Sequence, residues 1–374
     1  MKDVALEAGV SIATVSRTLG GGDRSISLPL RTAVLEAAEK LQYRPSAAAR
    51  RLRTKSSSLI GVVVQSVGDG YIGEVVLGIQ SRARELGFQL LFFASEGRED
   101  LESEALEVFL SEQVTELISV SPTGSPRVLK KAVEEGLKVA VINWDVEVPE
   151  RYFEALEQGP MARQAANLAS RVVDKSICHV TFDDVGAAAA ATSHLLDLGH
   201  LRIAHLRGPN VRSSLLRLIG FRRTLEEAEL WPQPIIRPES PVMDSREKAV
   251  SDFLKGEKPP LAMVVYDDLS AVATLRAAHQ SGWRIPEDLS IVGIDDIQFA
   301  AYTNPALTTV AQPKQQLGAL AVDALLGDME SGTNPPVLHG SLVIRESTAS
   351  PYQKTRSVKR SPGPVKAPLP EDLA

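Results

Sequence analysis

The sequence predicts a small all-α helix-turn-helix headpiece followed by an α/β body of two parallel-sheet lobes. Three observations predict it. Val4, Ala5 and Ala8, then Gly9, then Val10, Val15 and Leu19 outline two short helices around a tight turn. From Leu59 onward, short apolar runs alternate with amphipathic stretches, the rhythm of strands buried on both faces and separated by helices. Charge divides along the same line: residues 1–58 carry ten Lys/Arg against five Asp/Glu, a net +5, and the remainder carries −11. A basic module suited to phosphates is thereby joined to an acidic body that is not.

Within the headpiece, residues 1–42, Ser11 is placed to cap the second helix. A third helix starts after Ser27 and is expected to bury Val34, Ala38 and Leu41 at helical spacing. Tyr43-Arg44-Pro45 breaks the pattern and opens a hinge, residues 43–58. Ser46 there can cap a short helix, Ala47 to Arg53, ahead of the polar Thr54-Lys55-Ser56-Ser57-Ser58. A helix of about two turns is unstable alone in water, so its ordering must be coupled to something else.

The body, residues 59–350, shows strand runs at Leu59–Val64, Gln89–Phe93, Val139–Ile142, Arg202–Leu206, Ala262–Val265 and Ser290–Ile294. The rhythm is interrupted near Gly199-His200, which places a boundary between two similar lobes there. An additional helix is expected over Met161 to Val173. After Tyr352 the chain is basic and proline-rich without apolar period, so residues 351–374 read as a disordered tail.

Cys178 is the sole cysteine, which leaves no disulfide framework and no C-x-x-C pair, as suits a reducing cytoplasm. The N-terminus lacks the apolar core of a signal peptide, and no apolar run reaches the ~20 residues of a membrane helix. A cytoplasmic chain with no membrane association is expected. The histidines show no H-E-x-x-H or similar metal spacing, so neither metal nor cofactor is expected.

One motif supports a rival reading. Gly68-Asp69-Gly70-Tyr71-Ile72-Gly73 matches G-x-G-x-x-G, follows a strand and opens a helix, and Glu96 lies near the position of a ribose-binding acid. Taken alone it makes the chain an NAD-dependent oxidoreductase, although Asp69 places a charge where pyrophosphate should rest. An exported solute-binding protein would share the two-lobed body, but needs a signal peptide and leaves residues 1–55 unexplained.

The stretch Asp3-Val4-Ala5-Leu6-Glu7-Ala8-Gly9-Val10-Ser11-Ile12-Ala13-Thr14-Val15-Ser16-Arg17 closely resembles the headpiece of the LacI/GalR family of bacterial transcriptional regulators, and the resemblance runs on through residue 350. It implies a periplasmic-binding-protein-like body and a homodimeric repressor rather than an enzyme. The expected partners are a double-stranded DNA operator and a small-molecule effector, a sugar or related metabolite, bound between the lobes. Ile12 and Ala13 would stand at the specificity positions. Arg17 would contact guanine, and Ser11, Thr14 and Ser16 would reach phosphates or base edges. In the hinge, Leu52 would wedge into the minor groove while Arg50, Arg51, Arg53 and Lys55 lie along phosphates.

The resemblance also implies an effector site at Asp69, Tyr71, Trp144, Asp183, Arg217, Asp267 and Asp295, at the carboxyl ends of strands. Any Asp at a strand-to-helix turn can cap the helix instead; for Asp184, Asp268 and Asp296 beside them that role is as expected as ligand binding, whereas Asp183, Asp295 and Arg217 are the stronger ligand candidates. Trp144 could equally be core. Asp69, Asp184 and Asp267 stand where the family often has Asn, which points to a ligand rich in donors, even a cationic one. The resemblance further implies three crossings between lobes, the last near Thr308-Thr309-Val310. The chain departs from the family in its first helix, which Met1 leaves without the usual capping Thr, at Gly20, and at Leu28-Pro29-Leu30.

Overall fold

The computed structural model describes residues 1–19, 26–43, 58–122, 126–144, 148–158, 176–327 and 335–351. The hinge positions Arg50, Arg51, Leu52 and Arg53, the helix expected over Met161–Val173, and residues 352–374 lie outside them.

In the headpiece, α1 (Lys2–Glu7), α2 (Ile12–Leu19) and α3 (Leu28–Lys40) enclose Val4, Ala5, Val15, Val34, Ala37 and Ala38. Met1 caps α1 with no side-chain bond. Gly9 sits at φ +64°, and a Cβ added there would meet nothing within 4 Å, so the backbone conformation of the turn, not space, asks for glycine. Leu41, expected inside, is 41% exposed. The reason is that α3 ends at Lys40, and the chain turns so that the Tyr43 amide donates to the Ala38 carbonyl at 2.8 Å, which packs Tyr43 against the core instead.

The body runs β1 (Leu59–Val64), α4 (Gly70–Glu85), β2 (Gln89–Ala94), α5 (Glu99–Ser111), β3 (Glu116–Val120), α6 (Arg127–Glu134), β4 (Lys138–Ile142), α7 (Glu150–Gln158) and β5 (Ile177–Val180). Next come α8 (Asp184–Asp197), β6 (Ile203–Leu206), α9 (Arg212–Glu227), β7 (Ile235–Ile236), α10 (Met243–Leu254), β8 (Leu261–Val265), α11 (Asp268–Gln280) and β9 (Leu289–Asp295). A 3-10 turn (Gln298–Tyr302), β10 (Thr308–Ala311), α12 (Lys314–Leu326) and β11 (Ser341–Val343) complete the described elements.

One sheet has the order β2-β1-β3-β4-β5, all parallel, and the other β11-β10-β9-β8-β6-β7, parallel except for β11. In each, the chain's first strand lies inside the sheet and the order reverses beside it. That reversal opens a crevice at the carboxyl ends, between β1 and β3 in one lobe and between β6 and β8 in the other.

Contacts divide the chain into one unit of Met1–Trp144, Val173–Thr181 and Lys314–Pro336, and another of Asp145–Val172, Phe182–Pro313 and Val337–Ala374. Two expectations are thereby corrected. The second lobe's main stretch begins at Phe182 rather than near Gly199, because α8 packs on α9 so closely that a Cβ at Gly220 would collide with the Val185 carbonyl. Thr308-Thr309-Val310 is a strand of the second lobe and not the last crossing; the chain leaves after Pro313 and returns after Pro336.

The first lobe is closed by α12 lying against α4. A Cβ at Gly78 would strike the backbone of Gln315, and one at Gly318 would strike that of Val75, Gly78 and Ile79. Backbone cannot rotate aside, so a side chain at either glycine must push the helices apart. Gly78→Val is expected to lower stability by about 1–3 kcal/mol, read as a reduced urea midpoint at unchanged slope. Gly73→Ala on the same helix, whose Cβ would meet nothing within 4 Å, is the control and should cost nothing.

Candidate functional site

At the start of α2 the Ser11 hydroxyl accepts from the Thr14 amide at 3.0 Å and lies 2.9 Å from the Thr14 hydroxyl. This cap fixes the first turn so that Val15 is fully buried while Ile12 and Ala13 are exposed beside each other. Arg17, exposed one turn on, leans back with Nε 3.4 Å from the Ala13 carbonyl. Ser11, Ile12, Ala13, Thr14, Ser16 and Arg17 thus lie along one capped helix, with an apolar residue presented to solvent at the turn a helix-turn-helix offers to a groove.

In the first lobe, Asp69 caps α4 by accepting from the Tyr71 amide at 2.9 Å. The Tyr71 ring is buried, and its hydroxyl accepts from Asn143 Nδ2 at 2.7 Å, Asn143 being held at φ +47° just after β4. Trp144 is 5% exposed and stacks on His179 with ring centroids 5.2 Å apart. The glycine loop lacks the features of a dinucleotide cradle. Asp69's carboxylate already occupies the helix N-terminus, and Gly73 makes no close approach that would require glycine for helix-to-strand packing.

The second lobe gathers its polar residues around Arg217, 4% exposed. Its Nε donates to Asp184 Oδ1 at 2.9 Å, Nη1 to the Tyr266 carbonyl, and Nη2 lies 3.4 Å from Asp295 Oδ1. The guanidinium also sits 4.7 Å from the centre of the Tyr266 ring, whose hydroxyl is 2.7 Å from Ser213 Oγ. Gln312 Nε2 donates to Asp295 at 2.6 Å. Burial works against the Arg217 charge, but the Asp184 and Asp295 carboxylates override it and hold the group firmly protonated. Burial pushes Asp184 upward, with Arg217 opposing. Asp295 adopts φ +125°, a conformation costly for any residue with a side chain and held here by these two partners.

The other acids separate by role. Asp183 caps α8 through the Gly186 amide at 2.9 Å and meets His339 Nδ1 at 2.9 Å. Asp267 caps α11 through the Ser270 amide at 2.6 Å and pairs with Arg246 at 3.1 Å. Asp296 pairs with Arg345 at 2.6 Å. Asp268 is fully buried, accepting from Thr309 Oγ1 at 2.6 Å and the Ile297 amide at 2.9 Å. Burial, with Asp267 and Asp296 adding to it, pushes its carboxyl up to about 7. Tyr266, Ser213 and Gln312, which complete the Arg217 cluster, were not singled out from sequence. Tyr266 had a signal, since it stands directly after a strand run beside two Asp.

Among the described residues no group of three His, Cys, Asp or Glu side chains is placed to hold a metal ion, and no helix is long and apolar enough to cross a membrane.

Comparison with known proteins agrees with both halves of this architecture. Residues 1–46 match the model of bacterial regulatory proteins of the lacI family, and residues 192–348 that of the periplasmic binding protein-like domain. The chain is 30% identical to the ribose operon repressor of Haemophilus influenzae, over 94% of this chain and 98% of that protein. It is 29% identical to the transcriptional repressor CytR of Escherichia coli, over 93% and 96%. The crystal structure of the Lac repressor dimer bound to operator and the anti-inducer ONPF superposes with a TM-score of 0.75 at 29% identity, covering 93% of this chain and 98% of that one. The chain belongs to the LacI family of bacterial regulatory proteins.

Proposed function

We propose that this protein is a homodimeric transcriptional repressor that holds a double-stranded DNA operator and is modulated by a small-molecule effector. In this reading residues 1–42 are the DNA-binding headpiece, 43–58 the hinge and 59–350 the effector-binding and dimerisation body. The observation that carries it is the capped first turn of α2, which presents Ile12 and Ala13 to solvent with Arg17 on the same helix. Apolar residues there suit thymine methyl groups, and Arg17 suits guanine. Relatives named as repressors across nearly the whole chain support a regulator over an oxidoreductase.

For the effector, the reading rests on the second-lobe cluster about Arg217 with Tyr266 and Asp295, and on Asp69, Tyr71, Trp144, Asp183 and Asp267. Of the three acids that pointed to a cationic ligand, two are answered by a cation in their own lobe, Asp184 by Arg217 and Asp267 by Arg246, and Asp69 accepts from the Tyr71 amide. A ligand cation is therefore not required.

Selection of bound duplexes from a random library by the full-length protein, at near-physiological salt, is expected to enrich a two-fold symmetric site. Arg17→Ala should weaken that site by about 1–3 kcal/mol relative to the wild type, with little change on nonspecific DNA. Failure to enrich any site, or equal losses on specific and nonspecific duplexes, would remove the assignment of α2.

A further inference from the structure

The second lobe contains a cavity of about 350 Å³, lined among others by Glu150, Arg207, Asn210, Glu239, Ser240 and Arg246. It lies where the chain leaves β6 and β7, against the N-termini of α9 and α10. Neither helix has a side-chain cap, because Val211 and Val242 occupy the cap positions. Uncapped amides at the starts of two long helices favour negative charge.

Two buried arginines form its wall. Arg207 is 6% exposed, and it grips Glu150 by two bonds, Nη1 to Oε1 at 2.8 Å and Nη2 to Oε2 at 3.0 Å, with Nη1 also 3.5 Å from Oε1 of the buried Glu157 side chain and Nη2 3.0 Å from Asn210 Oδ1. Among the described residues its Nε is buried with no partner, which is costly for a donor. Arg246, 8% exposed, makes all its hydrogen bonds through Nη1, to Asp267 and Ser270, leaving Nε and Nη2 without a partner among the described residues. Glu239 on the rim is exposed to solvent.

Glu150 reaches this place on a segment that interrupts the first lobe. Residues Asp145–Val172 belong to the second unit, although β4 and β5 on either side belong to the first. The Val148 amide donates to the Asn210 carbonyl at 2.7 Å, Arg222 donates to the Leu156 carbonyl, and Phe153 and Leu156 are fully buried. Docked in this way, the first residue of α7 fills one arginine fork with a carboxylate, the geometry by which a guanidinium recognises carboxylate or phosphate oxygens.

We propose that the cavity is an oxyanion site, taking a phosphate or carboxylate group of the effector on Arg246 and Arg207, and that Glu150 is a tethered carboxylate with which that group competes. This rests on the reading of the chain as an effector-responsive regulator. The inserted segment then sets ligand class: it supplies the anion when the ligand is absent and is the contact displaced when a stronger one arrives.

The test is calorimetric titration of the full-length protein with inorganic phosphate and, separately, with succinate, at constant ionic strength. Saturable binding of at least one is expected. Glu150→Gln should tighten it roughly threefold or more by removing the competing charge, and Arg246→Gln should weaken it about tenfold or more. Arg246 also holds Asp267, so Ser240→Asp, which adds a negative charge to the wall and leaves both arginines intact, is the second variant and should abolish binding. Phosphate alone binding would assign a phosphorylated metabolite, succinate alone a carboxylic acid, and mutual competition a site serving either group. The proposal is overturned if neither anion binds wild type or Glu150→Gln, or if binding is unchanged in Glu150→Gln and Ser240→Asp. Duplex selection with the same preparations separates the two readings. An enriched operator without anion binding rejects only the cavity, whereas no enriched operator rejects the regulator whatever the calorimetry gives.

Discussion

Arg217→Met is expected to destabilise the second lobe by about 3–5 kcal/mol, the cost of leaving buried carboxylates without their cation. The substitution keeps much of the volume but strands Asp184 and Asp295, both buried, and frees the Tyr266 carbonyl. Arg217→Lys should recover little, because one ammonium cannot span Asp184, the Tyr266 carbonyl and Asp295 as the planar guanidinium does. Adding Asp184→Asn to Arg217→Met should restore part of the loss, since it removes one stranded charge; the non-additivity measures the pair. Urea unfolding reads all of these. A change within about 0.5 kcal/mol of wild type for Arg217→Met would mean that the charges are solvated and the cluster is not a unit.

The second large effect is pH-linked and belongs to Asp268. Its carboxyl titrates near 7 in the folded protein against 3.8 ordinarily, so between those values the folded state binds more protons than the unfolded. Stability contributed by this group is therefore fully present below about pH 4 and is lost as pH rises through 7, by roughly 4 kcal/mol for a shift of this size. Asp268→Asn removes that slope. The amide also fits: one side accepts from the Ile297 amide, as Asp268 Oδ2 does, and the other donates to Thr309, whose hydroxyl can turn to accept. The expected result is a variant more stable than wild type at pH 8 and similar at pH 4. Parallel pH profiles for the two proteins would show that the carboxyl titrates normally.

Legibility from sequence followed the range of the forces involved. The headpiece was read almost completely, because a cap at Ser11, a turn at Gly9 and the spacing of Val4, Val15 and Val34 are local. Strands written as unbroken apolar runs, such as β1 and β8, were found, whereas β3 and β5 were not. Glu116 and Ser119 interrupt the first, Cys178 and His179 the second, yet Glu116, Ser119 and His179 are buried in the sheet. The boundary between lobes was misplaced because the run Ala187–Ala191 of α8 carries no periodic apolar signal; its partner is decided by Gly220 on another helix.

The paired acids show the same limit at one-residue resolution. In Asp183-Asp184 and Asp267-Asp268 the first residue turns back to cap and the second, about a quarter-turn further round the helix, points into the lobe. Sequence alone ranked Asp183 above Asp184 as a candidate, and the Arg217 contact went to Asp184. At Asp295-Asp296 the order reverses, because strand geometry turns the first inward and leaves the second to Arg345.

The interleaving of the two units has a consequence for how the protein is made. The first lobe is not finished until α12 arrives to lie between Gly78 and β4, and the second not until β11 pairs with β10 and Ser347 bonds to Thr308 and Ile291. A ribosome that has emitted everything through β10 holds two unfinished bodies at once, each showing apolar surface that its last element would cover. The slow loop closures fall close together in the chain, so nascent chains should depend on chaperone protection until α12 and β11 have emerged and then acquire protease resistance in both lobes nearly simultaneously.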